Sequence, residues 1–233
     1  MLRFAGGSML KVAVIQFPGS NCDTDSVHAI KDVIGLPSRL IWHKDTSLLG
    51  ADAVLVPGGF SYGDYLRCGA IAKVSPIMAA VREFADNGGL VMGICNGFQI
   101  LCEAGLLPGA LILNNGLEFI CNTQELIVED SNEHFSKSAM GEKIHLPIAH
   151  GEGNYRIDDA GLAQLEANKQ ILFRYANNPN GSVGDIAGIR NEAGNVFGLM
   201  PHPERAVEAF MTSRDGEKVL RAFLRCHKKQ AAA

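Results

Sequence analysis

Residues 90–99 read Leu-Val-Met-Gly-Ile-Cys-Asn-Gly-Phe-Gln, with a glycine two positions away on either side of Cys95. An apolar run precedes this cysteine, and a helix-like pattern follows it. The order predicts a buried strand over 90–93, a sharp turn at Cys95 and a helix over 97–104. Glycines allow the backbone to bend and to pack closely at such a turn. A thiol at the start of a helix lies at the positive end of the helix dipole, which favours the thiolate, so Cys95 is a candidate nucleophile.

A second motif, Pro201-His202-Pro203-Glu204, lies near the end of the chain. The two prolines fix their own φ angles and push the residue between them away from helical geometry, which predicts a stiff extended segment. In an extended segment, His202 and Glu204 point the same way. A carboxylate bonded to one imidazole nitrogen leaves the other nitrogen for a thiol. Together with Cys95, the motif therefore predicts a Cys/His/Glu catalytic set, although a surface histidine beside a solvated glutamate is the simpler alternative.

Strand and helix patterns alternate along the rest of the chain. Such alternation predicts a mostly parallel sheet with helices on both faces, in which ligands gather beyond the carboxyl ends of the strands. Gly59, Cys95 and His202 each follow a predicted strand, so we expect them to meet at one edge. The remaining predicted strands are 11–17, 38–42, 53–56, 119–127, 142–149, 170–175, 186–190 and 195–200, and the remaining helices are 23–34, 75–87, 158–168 and 216–226.

Composition narrows the class of protein. The chain has 233 residues, of which 47% are apolar and 20% charged, as in a single globular domain. Its net charge of −4 gives no basic surface for nucleic acid, and no apolar run is long enough to span a membrane. We therefore expect one domain over residues 10–230, preceded by a short N-terminal extension over residues 1–9, with neither nucleic acid nor membrane as a partner.

The six cysteines are scattered and show neither Cys-x-x-Cys pairing nor zinc-ligand spacing. Unpaired cysteines suit a reducing cytoplasm, so we expect a cytoplasmic protein without a metal site. His145, His150 and Glu152 are a weaker alternative metal set, because their spacing matches no standard ligand pair. His28 and His43 are interpreted as structural or surface residues.

The motifs together resemble a known family. Gly-x-Cys-x-Gly-x-Gln at 93–99 with His-x-Glu at 202–204 is similar to the class I (triad-type) glutamine amidotransferases. Within that family, four further segments resemble the glutaminase subunits that serve purine biosynthesis, and the similarity covers about residues 10–226. The resemblance implies a flavodoxin-like α/β fold. The four segments are Phe-Pro-Gly-Ser-Asn-Cys-Asp at 17–23, the Gly- and Tyr-rich stretch at 57–69, His-Gly-Glu-Gly-Asn-Tyr at 150–155 and Asn-Pro-Asn-Gly-Ser at 178–182.

The resemblance also implies roles for residues around the nucleophile. The Cys95 sulfur would attack the side-chain amide of glutamine, His202 would transfer protons and Glu204 would orient the imidazole. The tetrahedral oxyanion needs donors that are already in place. The N–H of Asn96, directly after the nucleophile, is one candidate, and the N–H of Gly59 or of the adjacent Phe60 is the other.

Contacts to the substrate follow from the same family pattern. Gln99 is expected to contact bound glutamine, and Phe60 is expected to lie beside the substrate. The alternative for Gln99 is an amide on a helix face that points into solvent.

Ammonia released in water becomes ammonium, so a partner must accept it in a sealed path. The resemblance implies a large synthetase subunit that carries ATP and Mg²⁺, and a small third subunit in some lineages. No phosphate-binding Gly-x-x-x-x-Gly-Lys-Ser/Thr loop occurs in this chain, so we expect no cofactor here. Tyr62, Tyr65, Arg67 and Tyr155 are candidates for the docking face or the mouth of the ammonia tunnel, although the same residues could form a lid within the monomer.

Three alternatives remain open. A stand-alone cysteine hydrolase would lack the glutamine motif, yet Gln99 and His-x-Glu are present. A catalytically silent subunit would lack one of the three reactive side chains, and none is missing. A glutaminase subunit of another ammonia-channelling synthetase is the nearest alternative, and the Phe-Ser-Tyr-Gly-Asp-Tyr-Leu-Arg stretch at 60–67 argues against it.

Overall fold

A computed structural model describes residues 9–230, so the predicted extension over residues 1–9 lies almost entirely outside the described part. The described strands are β1 Val12–Gln16, β2 Ser38–Trp42, β3 Ala53–Val56, β4 Leu90–Ile94, β5 Ala110–Ile112, β6 Ile120–Val128, β7 Lys143–His150, β8 Asn154–Arg156, β9 Ile171–Tyr175, β10 Ile186–Arg190 and β11 Val196–Leu199. The helices are α1 Asp23–His28, which continues as a π-helical segment Ala29–Ile34, α2 Pro76–Asp86, α3 Asn96–Glu103, α4 Lys137–Met140, α5 Asp159–Ala167 and α6 Asp215–Gln230.

Nine strands form one sheet in the order β2-β1-β3-β4-β11-β10-β9-β6-β7. The pairings from β2 to β11 are parallel, whereas those from β11 to β7 are antiparallel. The first four strands stand in the order 2-1-3-4 that characterises flavodoxin-like sheets. Seven of the nine strands, all except β10 and β6, consequently point in the same direction. The predicted α/β class with a mostly parallel sheet is confirmed.

Helices cover both faces of the sheet. Successive side chains of a strand point to opposite faces. On β11, the Phe197 ring lies 5.8 Å from the ring of Phe223 in α6, whereas a side chain at Gly198 would collide with Phe98 in α3. Since β3 and β4 are buried at every position, they read as continuous apolar runs, as strands covered on both faces should.

Every strand and helix predicted from the sequence is present, and most of their ends agree within one residue. The last helix runs four residues further than predicted. The sequence did not reveal α4 or the pair β5 and β8, which form a separate two-stranded antiparallel sheet. Three- and four-residue elements are too short to display a hydrophobic period. Within residues 9–230, no helix is both long and apolar enough to cross a bilayer.

Candidate active site

Cys95 occupies the sharp turn between β4 and α3. Its φ of 50° and ψ of −108° are rare for a residue with a side chain and typically cost about 1–3 kcal/mol. The Cys95 N–H donates to the Leu199 carbonyl at 2.8 Å, which fastens the turn to β11. A side chain at Gly93 would lie 2.5 Å from the Gly97 carbonyl, and one at Gly97 would overlap the Val56 carbonyl. The two glycines are therefore required for α3 to approach the strands this closely.

Three adjacent parallel strands bring the distant motifs together. β3, β4 and β11 are neighbours in the sheet, so their carboxyl ends lie side by side. The Gly59 loop follows β3, Cys95 follows β4 and His202 follows β11. A side chain at Gly58 would lie only 2.8 Å from the His202 ring, and this ring is close enough to the Cys95 thiol to interact with it. The predicted meeting of these segments at one edge is what the structure displays.

His202 and Glu204 form a buried pair. Nδ1 of His202 lies 2.6 Å from Oε1 of Glu204, and the two residues are only 2% and 1% exposed. The predicted extended segment is wrong, because Pro203–Arg205 forms a 3₁₀ turn in which the Arg205 N–H donates to the His202 carbonyl at 3.2 Å. Proline suits the first position of a helical turn, since its φ is already set there. The imidazole and carboxylate still meet, through a turn rather than a strand.

The charges around His202 favour its protonated form. Burial by itself would lower the pKa of His202, but the Glu204 carboxylate and the Cys95 sulfur more than offset burial and hold this pKa well above its ordinary value. An imidazolium between a sulfur and a carboxylate is the arrangement that activates a cysteine nucleophile. The site can therefore place a positive charge beside the Cys95 sulfur and donate a proton to a leaving group.

Comparison with known proteins agrees with this geometry. The family model described as the CobB/CobQ-like glutamine amidotransferase domain matches residues 9–228. The chain belongs to this glutamine amidotransferase family. It is 60% identical over 208 residues to "Phosphoribosylformylglycinamidine synthase subunit PurQ" of Synechococcus elongatus, which covers 89% of this chain and 94% of that protein.

Solved structures share the fold of this amidotransferase. A chain of the structure titled "Structure of PurLQS from Thermotoga maritima" superimposes with a TM-score of 0.84 at 44% identity, over 94% of this chain and 99% of that one. A glutamine amidotransferase of Thermotoga maritima superimposes with a TM-score of 0.57 at 15% identity, over 97% of this chain and 87% of that one. The second likeness concerns the fold alone. The likeness to the PurLQS chain confirms the expected flavodoxin-like amidotransferase fold.

The loop after β3 distinguishes between the two candidate oxyanion donors of the amidotransferase. The Phe60 N–H donates to the Gly19 carbonyl at 3.1 Å, so it is already engaged. Gly59 has a φ of 135°, and a side chain there would lie 2.7 Å from the backbone nitrogen of Asn21. Only glycine fits at this position, and its N–H is left as the partner of the Asn96 N–H in the predicted oxyanion hole.

Side chains in the first turn of α3, directly after the nucleophile, form hydrogen bonds to neighbouring loops of the amidotransferase. Asn96 accepts from the Ser61 N–H at 3.1 Å and donates to Gln99 at 2.9 Å. Gln99 donates in turn to the Glu152 carbonyl at 2.7 Å. Gln99 is buried, so the solvent-facing alternative is wrong. Its contact with glutamine stays a prediction, and its contacts here fix the loops at both sides of the nucleophile.

Tyr155 does not lie on a docking face. The ring is fully buried and stacks on Phe98 at 5.9 Å, and its hydroxyl donates to the Pro108 carbonyl at 2.9 Å. The sequence prediction placed this tyrosine on the surface because it lies in a Gly-rich segment. The short strand β8 carries it into the interior, and a strand of that length has no recognisable hydrophobic pattern. Tyr155 is a structural residue of the amidotransferase core.

The other three predicted docking residues differ in exposure. Tyr65 is 73% exposed, and Arg67 is exposed and pairs with Glu103 at 2.6 Å. Tyr62 is half-buried, and its hydroxyl lies 2.6 Å from Nδ1 of His43. Tyr62 thus anchors the loop, as in the lid alternative, while Tyr65 and Arg67 stand on its outer surface.

The alternative metal set is not assembled. His145 and His150 both lie on β7, five residues apart, so their side chains point to opposite faces of the sheet. His145 is exposed beside Glu125, whereas His150 is buried with Nδ1 3.1 Å from Oδ1 of Asn114. Burial, together with the positive charge of His202, lowers the pKa of His150 to about 4, so this imidazole stays neutral.

Sequence reasoning overlooked Cys22. Its sulfur and ligand atoms of His202 and Glu204 all lie within 4.8 Å of one another. Burial raises the pKa of Cys22, although the nearby His202 opposes that effect. A signal was present, because Cys22 follows the first predicted strand and so lies at the same edge of the sheet as Cys95. All six cysteines fall within the described residues and are free thiols.

Proposed function

We propose that the chain is the glutaminase subunit of phosphoribosylformylglycinamidine synthase. It hydrolyses glutamine to glutamate and ammonia, and the ammonia passes to a large subunit that converts formylglycinamide ribonucleotide to formylglycinamidine ribonucleotide with ATP, in de novo purine biosynthesis in the cytoplasm. The buried His202–Glu204 pair beside Cys95 carries the chemical part of this proposal. The 60% identity to a PurQ subunit supports the choice of pathway.

The reaction has two halves. The Cys95 sulfur attacks the amide carbon of glutamine, and the N–H groups of Asn96 and Gly59 bind the oxyanion that forms. His202 then gives its proton to the leaving ammonia, which leaves a γ-glutamyl thioester on Cys95. Water attacks the thioester carbon while the imidazole takes a proton from that water, and the C–S bond then breaks to release glutamate and the Cys95 sulfur. Glu204 keeps the ring oriented and supports its positive charge throughout.

We place no cofactor on this chain, and we place ATP and Mg²⁺ on the partner synthetase. The docking face is proposed to be a rim of exposed aromatic and leucine side chains from two loops beside the site. The Phe60 ring lies 6.4 Å from that of Phe119, so the two loops meet. Aromatic side chains presented in this way favour protein partners. The rim consists of Phe60, Tyr65, Leu66, Leu117 and Phe119, which are all exposed.

The proposal is tested by measuring glutamine hydrolysis with and without a small third subunit, the large subunit, formylglycinamide ribonucleotide and ATP. We expect weak hydrolysis by the chain alone and strong stimulation in the complex. Cys95→Ala should abolish use of glutamine but leave ammonia-dependent amidine synthesis intact, whereas Cys121→Ala, which changes an exposed cysteine, should behave as wild type.

Two results would contradict the proposal. Hydrolysis of glutamine by the Cys95→Ala variant would exclude the nucleophile. If a different synthetase stimulated glutamine hydrolysis and the large subunit of phosphoribosylformylglycinamidine synthase did not, the chain would belong to another ammonia-channelling complex.

A further inference from the structure

A group of three buried potential metal ligands overlaps the catalytic pair. The Cys22 sulfur, a ring nitrogen of His202 and a carboxylate oxygen of Glu204 lie within 4.8 Å of one another, and all three residues are buried. Within the described structure, neither Nε2 of His202 nor Oε2 of Glu204 makes a hydrogen bond of good geometry, and the His202 ring lies beside the thiols of Cys22 and Cys95. Buried polar atoms are nearly always bonded, so these two atoms have capacity for a ligand.

The kinds of donor atom select one class of cation. A thiolate, an imidazole and a carboxylate are the ligands that Zn²⁺ takes, whereas Mg²⁺ and Ca²⁺ prefer oxygen alone. We propose that a thiophilic divalent cation of the Zn²⁺ type binds Cys22, His202 and Glu204 and thereby inhibits the glutaminase. Three protein ligands leave the fourth coordination position of the cation open. The inhibitory part of this inference depends on the function proposed above.

Binding requires only small movements. Zinc bonds of about 2.0–2.3 Å place tetrahedral ligand atoms about 3.5 Å apart, so atoms at the 4.8 Å limit must approach by roughly 1 Å. Nδ1 of His202 and Oε1 of Glu204, which are 2.6 Å apart, must separate by a similar amount if both coordinate. The Cys22 sulfur must give up its hydrogen bond to Oδ1 of Asn21, which is 3.2 Å long. The positive charge of Arg205 lies near the site and opposes binding of a metal cation. The Arg205 side chain donates to the Asp25 carboxylate at 3.0 Å, which holds it in place.

The chemistry balances without an oxidant or reductant. The cation forms a bond to the Cys22 sulfur as the thiol loses its proton, and an imidazolium at His202 loses a second proton when a ring nitrogen coordinates. Coordination through Nδ1 would displace the bond to Glu204, whereas coordination through Nε2 would remove the proton carrier that faces Cys95. Either mode takes the imidazole out of catalysis, so the cation and turnover exclude each other.

The first experiment measures glutamine hydrolysis by the complex at buffered free Zn²⁺ concentrations, each variant being compared with its own metal-free rate. We expect wild type and Cys121→Ser to be inhibited in parallel and to recover when a chelator is added. Cys22→Ser should need at least tenfold more Zn²⁺ for half-inhibition, because a hydroxyl is a poor zinc ligand. Mg²⁺ should not inhibit. Equal zinc sensitivity of wild type and Cys22→Ser would overturn the inference.

A second experiment needs no activity, and so separates this inference from the proposed function. Calorimetry with Zn²⁺ compares Cys95→Ala with the Cys95→Ala/Cys22→Ser double variant. We expect one zinc to bind to the first and at least tenfold weaker binding to the second. Equal zinc affinities of the two variants would refute the metal site even if the glutaminase assignment holds. If the wild-type complex showed no glutaminase activity without metal, only the assignment would be refuted.

Discussion

The buried pair of His202 and Glu204 allows one substitution to be predicted in detail. Glu204→Gln keeps the shape of the side chain but removes the charge whose oxygen lies 2.6 Å from Nδ1 of His202. Two unit charges about 4 Å apart in a medium of effective dielectric constant about 20 attract each other by about 4 kcal/mol. If the imidazolium needs that support in the transition state, kcat/KM for glutamine should fall by about 10³-fold, since each 1.36 kcal/mol is a factor of ten.

The same substitution should lower the pKa of His202, because the charge that raises this pKa is gone. A histidine whose pKa is raised on folding adds stability that is fully present below its unfolded pKa, near 6.5, and that is lost as the pH rises through the folded value. The difference in unfolding free energy between wild type and Glu204→Gln should therefore be largest below about pH 6.5 and shrink in alkaline solution. Denaturant unfolding at several pH values measures it.

Glu208→Gln is the matched control for Glu204→Gln. Glu208 also contacts a histidine, with Oε1 3.0 Å from Nε2 of His28, but on the surface. Surface pairs contribute about 0–1 kcal/mol, so this variant should retain glutaminase activity within twofold of wild type. The assay is steady-state hydrolysis by the complex across pH 5–10. Activity of Glu204→Gln within tenfold of wild type, with an unchanged pH profile, would refute the role given to the carboxylate.

Three further predictions concern the surroundings of the site. Gly97→Ala places a methyl group against the carbonyl that ends β3, so it should lower the free energy of unfolding by about 1–3 kcal/mol. Gly116→Ala is the control, because open space surrounds that residue, and it should not lower stability. Equal melting temperatures of the two variants would contradict the close approach of α3 to β3. Tyr155→Phe should cost about 1 kcal/mol of stability with glutaminase activity unchanged, and an effect on activity alone would place this residue at the site after all. NMR titration should show His150 neutral down to about pH 4, and His202→Ala should raise that pKa; no change in the variant would mean that the two rings do not interact.

The local elements were predictable because their signals are local. A strand, a glycine-flanked cysteine and a helix follow one another over residues 90–103, and each part has its own period or turn residue. The convergence of Gly59, Cys95 and His202 was also predictable, since parallel strands place their carboxyl ends at one edge. The Cys95 turn and the family motifs could thus be recognised without coordinates.

Other features depend on contacts between distant parts of the chain. Tyr155 is buried because β8 pairs with β5, which lies over forty residues away, and a three-residue strand gives no warning of that. The Phe60 N–H is engaged by the Gly19 carbonyl in the loop after β1, so only the folded chain shows that Gly59 is the better candidate for the predicted oxyanion hole. Cys22 reaches His202 in the same way, across the edge of the sheet. The sequence by itself determined the strands, the turn and the three reactive side chains, because each is encoded by its neighbours. Tertiary structure alone decided which groups surround them, because burial and hydrogen bonding are set by residues far apart in the chain.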